Sequence, residues 1–140
     1  MNGRFFLDTN IFVYSFDTNA PVKARRAQGL IREAVATRKG FVSYQVVQEF
    51  FNVALRRFTQ PMNVAEAEQY LASVFRPLIA VHSSQALYGQ ALRVSGRYRL
   101  SWYDALIVAA AIEGESSVLY SEDLQHGQNF GELQIKNPFL

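Results

Sequence analysis

The chain has 140 residues, 49% of them hydrophobic and 19% charged, which suits one globular domain over residues 1–140 and excludes a disordered or acidic tail. Fourteen Lys and Arg against 12 Asp and Glu leave a formal net charge of +2, compatible with a nucleic-acid partner but too small for a histone-like chain. With no Cys and two His, disulfides, thiolate zinc sites, cysteine nucleophiles and paired-histidine zinc helices are excluded.

Arg4–Leu7 reads as a short buried strand that ends at Asp8-Thr9-Asn10, a turn or helix start. Asp8 and Asn10 interrupt any signal-peptide core. The longest apolar run, Ala105–Ile112, is far shorter than the ~18 residues of a membrane span, so a soluble, cytoplasmic chain without membrane partners is expected. Ala20–Arg38 is a basic helix with Pro21 in its first turn and Gly40 as its stop. Phe41–Ser43 is a second strand, and Tyr44–Phe58 a helix that is apolar nearly all round. Asn63 caps a helix from Val64 to about Phe75, and Pro77 opens a third strand, Leu78–Val81. A helix from Ser84 to about Val94 ends near Gly96. Ser101 caps the most apolar helix, Trp102–Glu113, which Gly114 terminates. Val118–Tyr120 is a fourth strand, Gly127 and Gly131 mark a loop, and Gln134–Asn137 is a candidate fifth strand at the sheet edge. The alternation predicts a three-layer α/β/α fold around a mostly parallel sheet of four to five strands.

Four carboxylates stand out by position. Asp8 follows the first strand, Glu49 lies in the second turn after the second strand, Asp104 is in the first turn of the apolar helix, and Asp123 lies just beyond the fourth strand. In a parallel sheet the strand ends, the starts of following helices and the start of a helix feeding the next strand all face the carboxyl edge, where open α/β sheets bind ligands. Crowded carboxylates repel unless a cation neutralises them, and an oxygen-only set suits Mg²⁺ or Mn²⁺. Such an ion can activate water and clamp a phosphate, the chemistry of phosphodiester cleavage.

Each acid also has an ordinary reading. Asp8 fits a helix cap, Asp104 fits the third helical position of a capping box opened by Ser101, and Asp123 fits a surface turn. Glu49 is harder to explain that way, with Val46, Val53, Phe50 and Phe51 around it. Glu122 competes with Asp123 for the fourth position. His126 reads as a loop hydrogen-bonder and Asp17 as a solvated turn residue. The basic residues of the second helix, Arg56-Arg57, and Arg93, Arg97 and Arg99 read as solvated faces or, near the acidic edge, as phosphate contacts. Tyr14, Phe16, Tyr44, Trp102 and Tyr103 are candidates for stacking bases, with core packing the default for aromatics.

Phe5-Phe6-Leu7-Asp8-Thr9-Asn10-Ile11 resembles the opening motif of PIN domains. Glu49 in its apolar helix, Ser101-Trp102-Tyr103-Asp104-Ala105-Leu106-Ile107, and Val118-Leu119-Tyr120-Ser121-Glu122-Asp123-Leu124 resemble the later family motifs, in family order over almost the whole chain. Ser121 stands where Thr is commoner. The chain length resembles that of VapC, the toxin of type II toxin–antitoxin modules. The resemblance implies a Mg²⁺- or Mn²⁺-dependent endoribonuclease acting on RNA. Asp8, Glu49, Asp104 and Asp123 would be its catalytic and metal-binding residues, and Thr9, Asn10 and Ser121 would orient them. It also implies a homodimer and inhibition by a cognate antitoxin whose C-terminal segment covers the active site. The alternatives are a PIN-fold RNA-processing nuclease without a toxin role, or a non-catalytic receiver-like or nucleotide-binding α/β module. The latter expects a late Lys, for which Lys136 is the sole candidate. A dehalogenase-type phosphatase would need Asp-x-Asp where Asp8-Thr9-Asn10 stands.

Overall fold

The computed structural model describes residues 3–140. In chain order the elements are β1 (Phe5–Leu7), α1 (Thr9–Tyr14), α2 (Pro21–Thr37), β2 (Gly40–Ser43) and α3 (Tyr44–Ala54). There follow α4 (Val64–Tyr70), continued by a π-helical stretch (Leu71–Phe75) and the turn α5 (Arg76–Leu78), then β3 (Ile79–Val81), α6 (Gln85–Tyr98) and α7 (Trp102–Glu113). The chain ends with β4 (Val118–Tyr120), β5 (Asn129–Phe130) and β6 (Leu133–Lys136). The six strands are ordered β3-β2-β1-β4-β6-β5 and all pairs are parallel except β5 with β6.

β1 is a central strand, buried at every position. Successive side chains of a strand point to opposite faces. Phe5 meets Tyr120 edge-on at 5.7 Å on one face, and Phe6 meets Phe41 edge-on at 5.4 Å on the other. Helix α2 covers the first face so closely that a Cβ on Gly40 would lie 2.2 Å from Ala34 Cβ and 2.7 Å from a Phe5 ring carbon. The end of α7 covers the second face, where a Cβ on Gly114 would lie 2.1 Å from the Phe41 ring. Helices therefore flank the sheet on both sides. No helix among the described residues is long and apolar enough to cross a membrane.

Several boundaries differ from the sequence expectations for identifiable reasons. Helix α3 stops at Ala54 rather than Phe58, because Met62 N–H bonds back to Ala54 O and Phe58 folds against Phe16 and Phe50, with ring centroids 5.4 and 6.0 Å away. Pro77 lies inside a helical turn instead of opening a strand, a first-turn position where its missing N–H costs nothing. The stretch before it stays helical as Tyr70 stacks on Phe50 at 5.1 Å and Phe75 packs on Phe12 at 4.9 Å. Helix α6 runs past Gly96 to Tyr98 and ends on Arg99 in the left-handed region (φ 58°). The edge strand is β5 and not β6, since a tight turn with Gly131 at φ 63° folds a two-residue strand back outside it. Among the described residues the sheet has six strands, against the four or five expected.

Adding a methyl group at Gly40 or Gly114 overpacks a contact that has no slack. Gly40→Ala should cost about 1–3 kcal/mol, with Gly114→Ala in the same direction. Urea unfolding of each variant against the parent measures the loss.

Candidate active site

The parallel strands deliver their successors to one edge. Asp8 ends β1, its backbone N–H bonds to Tyr120 O of β4 at 3.0 Å, and its side chain caps α1 by accepting from Thr9 N–H at 2.7 Å. The capping role and a place in the acidic cleft therefore coexist in one side chain. The other carboxylate oxygen accepts from the Ser121 hydroxyl at 2.7 Å, at the end of β4. Helix α3 starts at the same edge and brings Glu49, whose Oε1 accepts from Thr9 Oγ1 at 2.5 Å. Helix α7 begins there too, with Ser101 Oγ accepting from Asp104 N–H at 3.4 Å. Asp123 Oδ2 accepts from Asn10 Nδ2 at 2.9 Å, and its N–H donates to Ser121 Oγ at 3.2 Å.

These acids line one cleft of about 300 Å³, with Asp8, Glu49, Asp104 and Asp123 all on its wall, together with Thr9 and Asn10. Ser121 sits behind the wall, fully buried against Asp8. All seven residues proposed from the sequence are thus gathered here. Two polar lining residues, Gln45 and Asn52, were not singled out from the sequence. Gln45 donates to Glu49 Oε2 and to Tyr103 O, both at 3.2 Å, and Asn52 and Tyr103 complete the rim. Gln45 and Asn52 stand at i−4 and i+3 from Glu49, a helical spacing that puts all three on one face.

Neighbouring acids 122 and 123 part company. Glu122 turns away to Lys23 (2.8 Å) and Tyr14 OH (2.6 Å), with Lys23 also over the Tyr14 ring at 4.7 Å. Burial pushes the Glu122 carboxyl upward, but the hydrogen bonds from Lys23 and Tyr14 outweigh it and hold it below the ordinary Glu range. Asp123, not Glu122, lines the cleft. Arg93 and Arg97 also lie elsewhere, in a cleft of about 840 Å³ beside Ser116, Ser117 and Leu133 at the amino ends of β4 and β6. Their nearness to Asp104 in sequence does not carry over into space. His126 accepts from Asn137 N–H at 2.9 Å, the loop role expected of it.

Electrostatically the cleft is strained by its own charges. Asp8 is only 7% exposed, and burial pushes its pKa up to about 7 against the lowering effect of the Ser121 and Thr9 hydrogen bonds, with the charges of Asp123 and Glu49 adding to the rise. Asp123 is raised by partial burial and by the charges of Asp104, Glu122 and Glu49. A divalent cation would relieve this repulsion, and the lining offers only hard oxygen donors. Among the described residues no three His, Cys, Asp or Glu side chains form a ready-made cage.

The family model for the PIN domain matches residues 5–128. The chain belongs to the PIN domain family. No curated protein matches the sequence significantly. A toxin–antitoxin complex from Klebsiella pneumoniae is similar in structure, with TM-score 0.66 and 17% identity over 95% of this chain and 96% of that one. The sarcin–ricin-loop-cleaving toxin VapC20 of Mycobacterium tuberculosis gives 0.59 and 21% over 85% and 89%. FitAcB from Neisseria gonorrhoeae gives 0.63 and 15% over 96% and 98%. At these identities the likeness is one of fold. Within this PIN domain the four acids occupy the cleft that the shared sheet creates.

The raised pKa of Asp8 sets the sign of a pH effect. Between the ordinary value of 3.8 and about 7, the unfolded chain loses this proton while the folded chain keeps it, so metal-free stability falls as pH rises through that window. The contribution is at most about 4 kcal/mol. Asp8→Asn retains a capping side chain and removes the titration. Its melting temperature, followed in EDTA, should lack this decline and exceed that of the parent at pH 8.

Proposed function

We propose that this PIN domain is a Mg²⁺- or Mn²⁺-dependent endoribonuclease and the toxin of a type II toxin–antitoxin pair. The observation that carries the reading is the convergence of Asp8, Glu49, Asp104 and Asp123 on one cleft, one of them buried and uncomfortable without a cation. The similarity to a toxin–antitoxin complex and to an RNA-loop-cleaving toxin supports the choice of RNA and of a toxin role.

In this reading Asp8 and Asp104 would hold the cation most directly, with Glu49 and Asp123 completing the set. A divalent ion held there would supply a more acidic water and a positive charge for the phosphate oxygens. The chain's own residues supply order. Ser121 and the Thr9 backbone N–H fix both oxygens of Asp8, the Thr9 hydroxyl and Gln45 hold Glu49, and Asn10 holds Asp123. These bonds orient carboxylates that would otherwise swing away from one another. Outside the cleft, 14 Lys and Arg face the eight remaining acids, a balance of +6 that would attract RNA toward a pocket repelling phosphate until a cation fills it. A homodimer, a cytoplasmic setting and a cognate antitoxin whose C-terminal segment covers this cleft belong to the same proposal. The receiver-like alternative has no support in the cleft, whose lining contains no Lys; Lys136 is an exposed residue of β6.

RNA should be cut in Mg²⁺ or Mn²⁺, and EDTA or Asp8→Asn should lower the rate by at least about a hundredfold, as loss of one essential electrostatic group does. Undiminished cleavage by Asp8→Asn would falsify the mechanism. Mg²⁺ or Mn²⁺ should also raise the melting temperature of the parent protein, and Asp8→Asn should show a smaller rise. Growth arrest on expression, relieved by co-expression of a short protein encoded beside it, separates a toxin from a housekeeping nuclease.

A further inference from the structure

Three of the four cleft acids stand at the end of a strand or inside a helix, but Asp123 does not. Residues 122–124 form a bend outside any strand or helix, so no ladder of backbone hydrogen bonds sets the direction of their side chains. Helix α1 supplies the missing constraint. Asn10 and Tyr14 stand one turn apart in it, a spacing that puts them on one face. Asn10 Nδ2 donates to Asp123 Oδ2 at 2.9 Å, and Tyr14 OH donates to Glu122 Oε1 at 2.6 Å. At the N-cap of the same helix, Asp8 accepts from the Ser121 hydroxyl at 2.7 Å. Residues 121, 122 and 123 are thus each gripped by a side chain of α1 or of its cap.

The grip on Glu122 is the most elaborate of the three. Lys23 of α2 donates to its other oxygen, Oε2, at 2.8 Å. The Lys23 and Glu122 side chains are 39% and 25% exposed, and a partly exposed ion pair adds little to stability. The phenol–carboxylate bond is short and charge-assisted, which makes it directional. The Phe139 ring covers the group, edge-on to Tyr14 at 5.0 Å and 5.5 Å from Lys23 Nζ. Phe139 is itself placed by its N–H bond to Asn137 Oδ1 at 2.9 Å, and Asn137 N–H bonds to His126 Nδ1 at 2.9 Å, in the loop that follows the bend. Four segments of chain therefore converge on a carboxylate that does not line the cleft. With both its oxygens held outside, Asp123 is the acid of the bend that faces inward.

We propose that Tyr14 is a positioning residue of the acidic cleft. By holding Glu122 outside, it sets the direction of Asp123 inside, and Lys23 and Phe139 hold Tyr14 and Glu122 together. The consequence for a cation rests on the cation-binding reading above; the consequence for the Asn10–Asp123 bond does not.

Tyr14→Phe is the decisive variant, because it removes one hydroxyl and keeps the charge and the ring. Lys23→Met serves less well, since it leaves Glu122 unneutralised and adds an attraction for cations. Binding of Mn²⁺ alone is followed by the loss of the free-ion paramagnetic resonance signal. Tyr14→Phe should raise Kd roughly threefold to tenfold, the worth of one hydrogen bond. In an Asp123→Asn background the same change should leave Kd where it was, because the carboxylate it directs is gone. Glu122→Gln and Glu122→Leu lose the same charge, but only Gln keeps an acceptor for Tyr14, so Glu122→Gln should bind Mn²⁺ more tightly than Glu122→Leu. In metal-free protein, the Asn10 side-chain amide resonances should move toward those of a free asparagine in Tyr14→Phe, because Asp123 is their acceptor. Equal weakening in the parent and Asp123→Asn backgrounds would make Tyr14 a general support of the fold and overturn the proposal. An unchanged Kd where the parent binds Mn²⁺, or unmoved Asn10 resonances, would do the same. A parent that binds no Mn²⁺, with Asn10 resonances that still move in Tyr14→Phe, would overturn the cation reading and leave the positioning role standing.

Discussion

A carboxylate is held out of water at the end of the central strand, and the geometry of the cleft is organised around it. Asp8 has one oxygen on the Thr9 N–H and the other on the Ser121 hydroxyl, so both its lone-pair directions are set by groups that cannot move without disturbing β1, α1 or β4. Burial and neighbouring charge push its pKa to about 7, which is a standing destabilisation of the ionised, metal-free fold. The protein tolerates this because the core beneath is extensive. Phe6, Leu7, Ile11, Phe12 and Phe50 are completely buried around the same junction. A buried charge that costs stability and is supported by its own hydrogen bonds points to function more strongly than a neutral cap would.

The central position of β1 is what lets one residue recruit the others. β2 lies on one side and β4 on the other, both parallel to it, so their carboxyl ends lie at the same level as Asp8. β2 hands over directly to α3 and hence to Glu49. β4 hands over to the Ser121–Asp123 turn. Helix α7 must return across the sheet to reach β4, and its first turn, with Asp104, is thereby carried to the same edge. The acids come from four separate stretches of chain, and parallel topology alone is the reason they meet.

The same edge shows how the surface is divided. Glu122 is paired directly with Lys23 and accepts from Tyr14 OH, and Lys23 in turn lies over the Phe139 ring, which anchors the turn and leaves the next residue to face the cleft. The aromatic residues divide likewise. Phe12, Phe50, Tyr70 and Phe75 close a cluster under α3 and α4, while Tyr44, Trp102 and Tyr103 remain at the surface beside the acids. A cleft of carboxylates thus adjoins a cavity whose lining includes Tyr44, Tyr88, Trp102 and Tyr103.

Much of this was legible without coordinates. Alternating strands and helices specify the sheet, and the rule that parallel strands share a carboxyl edge brings Asp8, Glu49, Asp104 and Asp123 together from residue order alone. What the sequence could not decide were matters of direction and partner choice. Whether residue 122 or 123 faces the cleft depends on Lys23 lying a hundred positions away. Whether Arg93 and Arg97 flank the acids depends on how α6 lies on α7, and they lie at the opposite edge. The stop of α3 at Ala54 depends on Phe58 finding Phe16 and Phe50. Local pattern determines which residues are in a strand or on a helix face, because that is set by backbone geometry within a few residues. Which side chain pairs with which across the fold is decided only when distant segments compete for the same donors, acceptors and apolar surface.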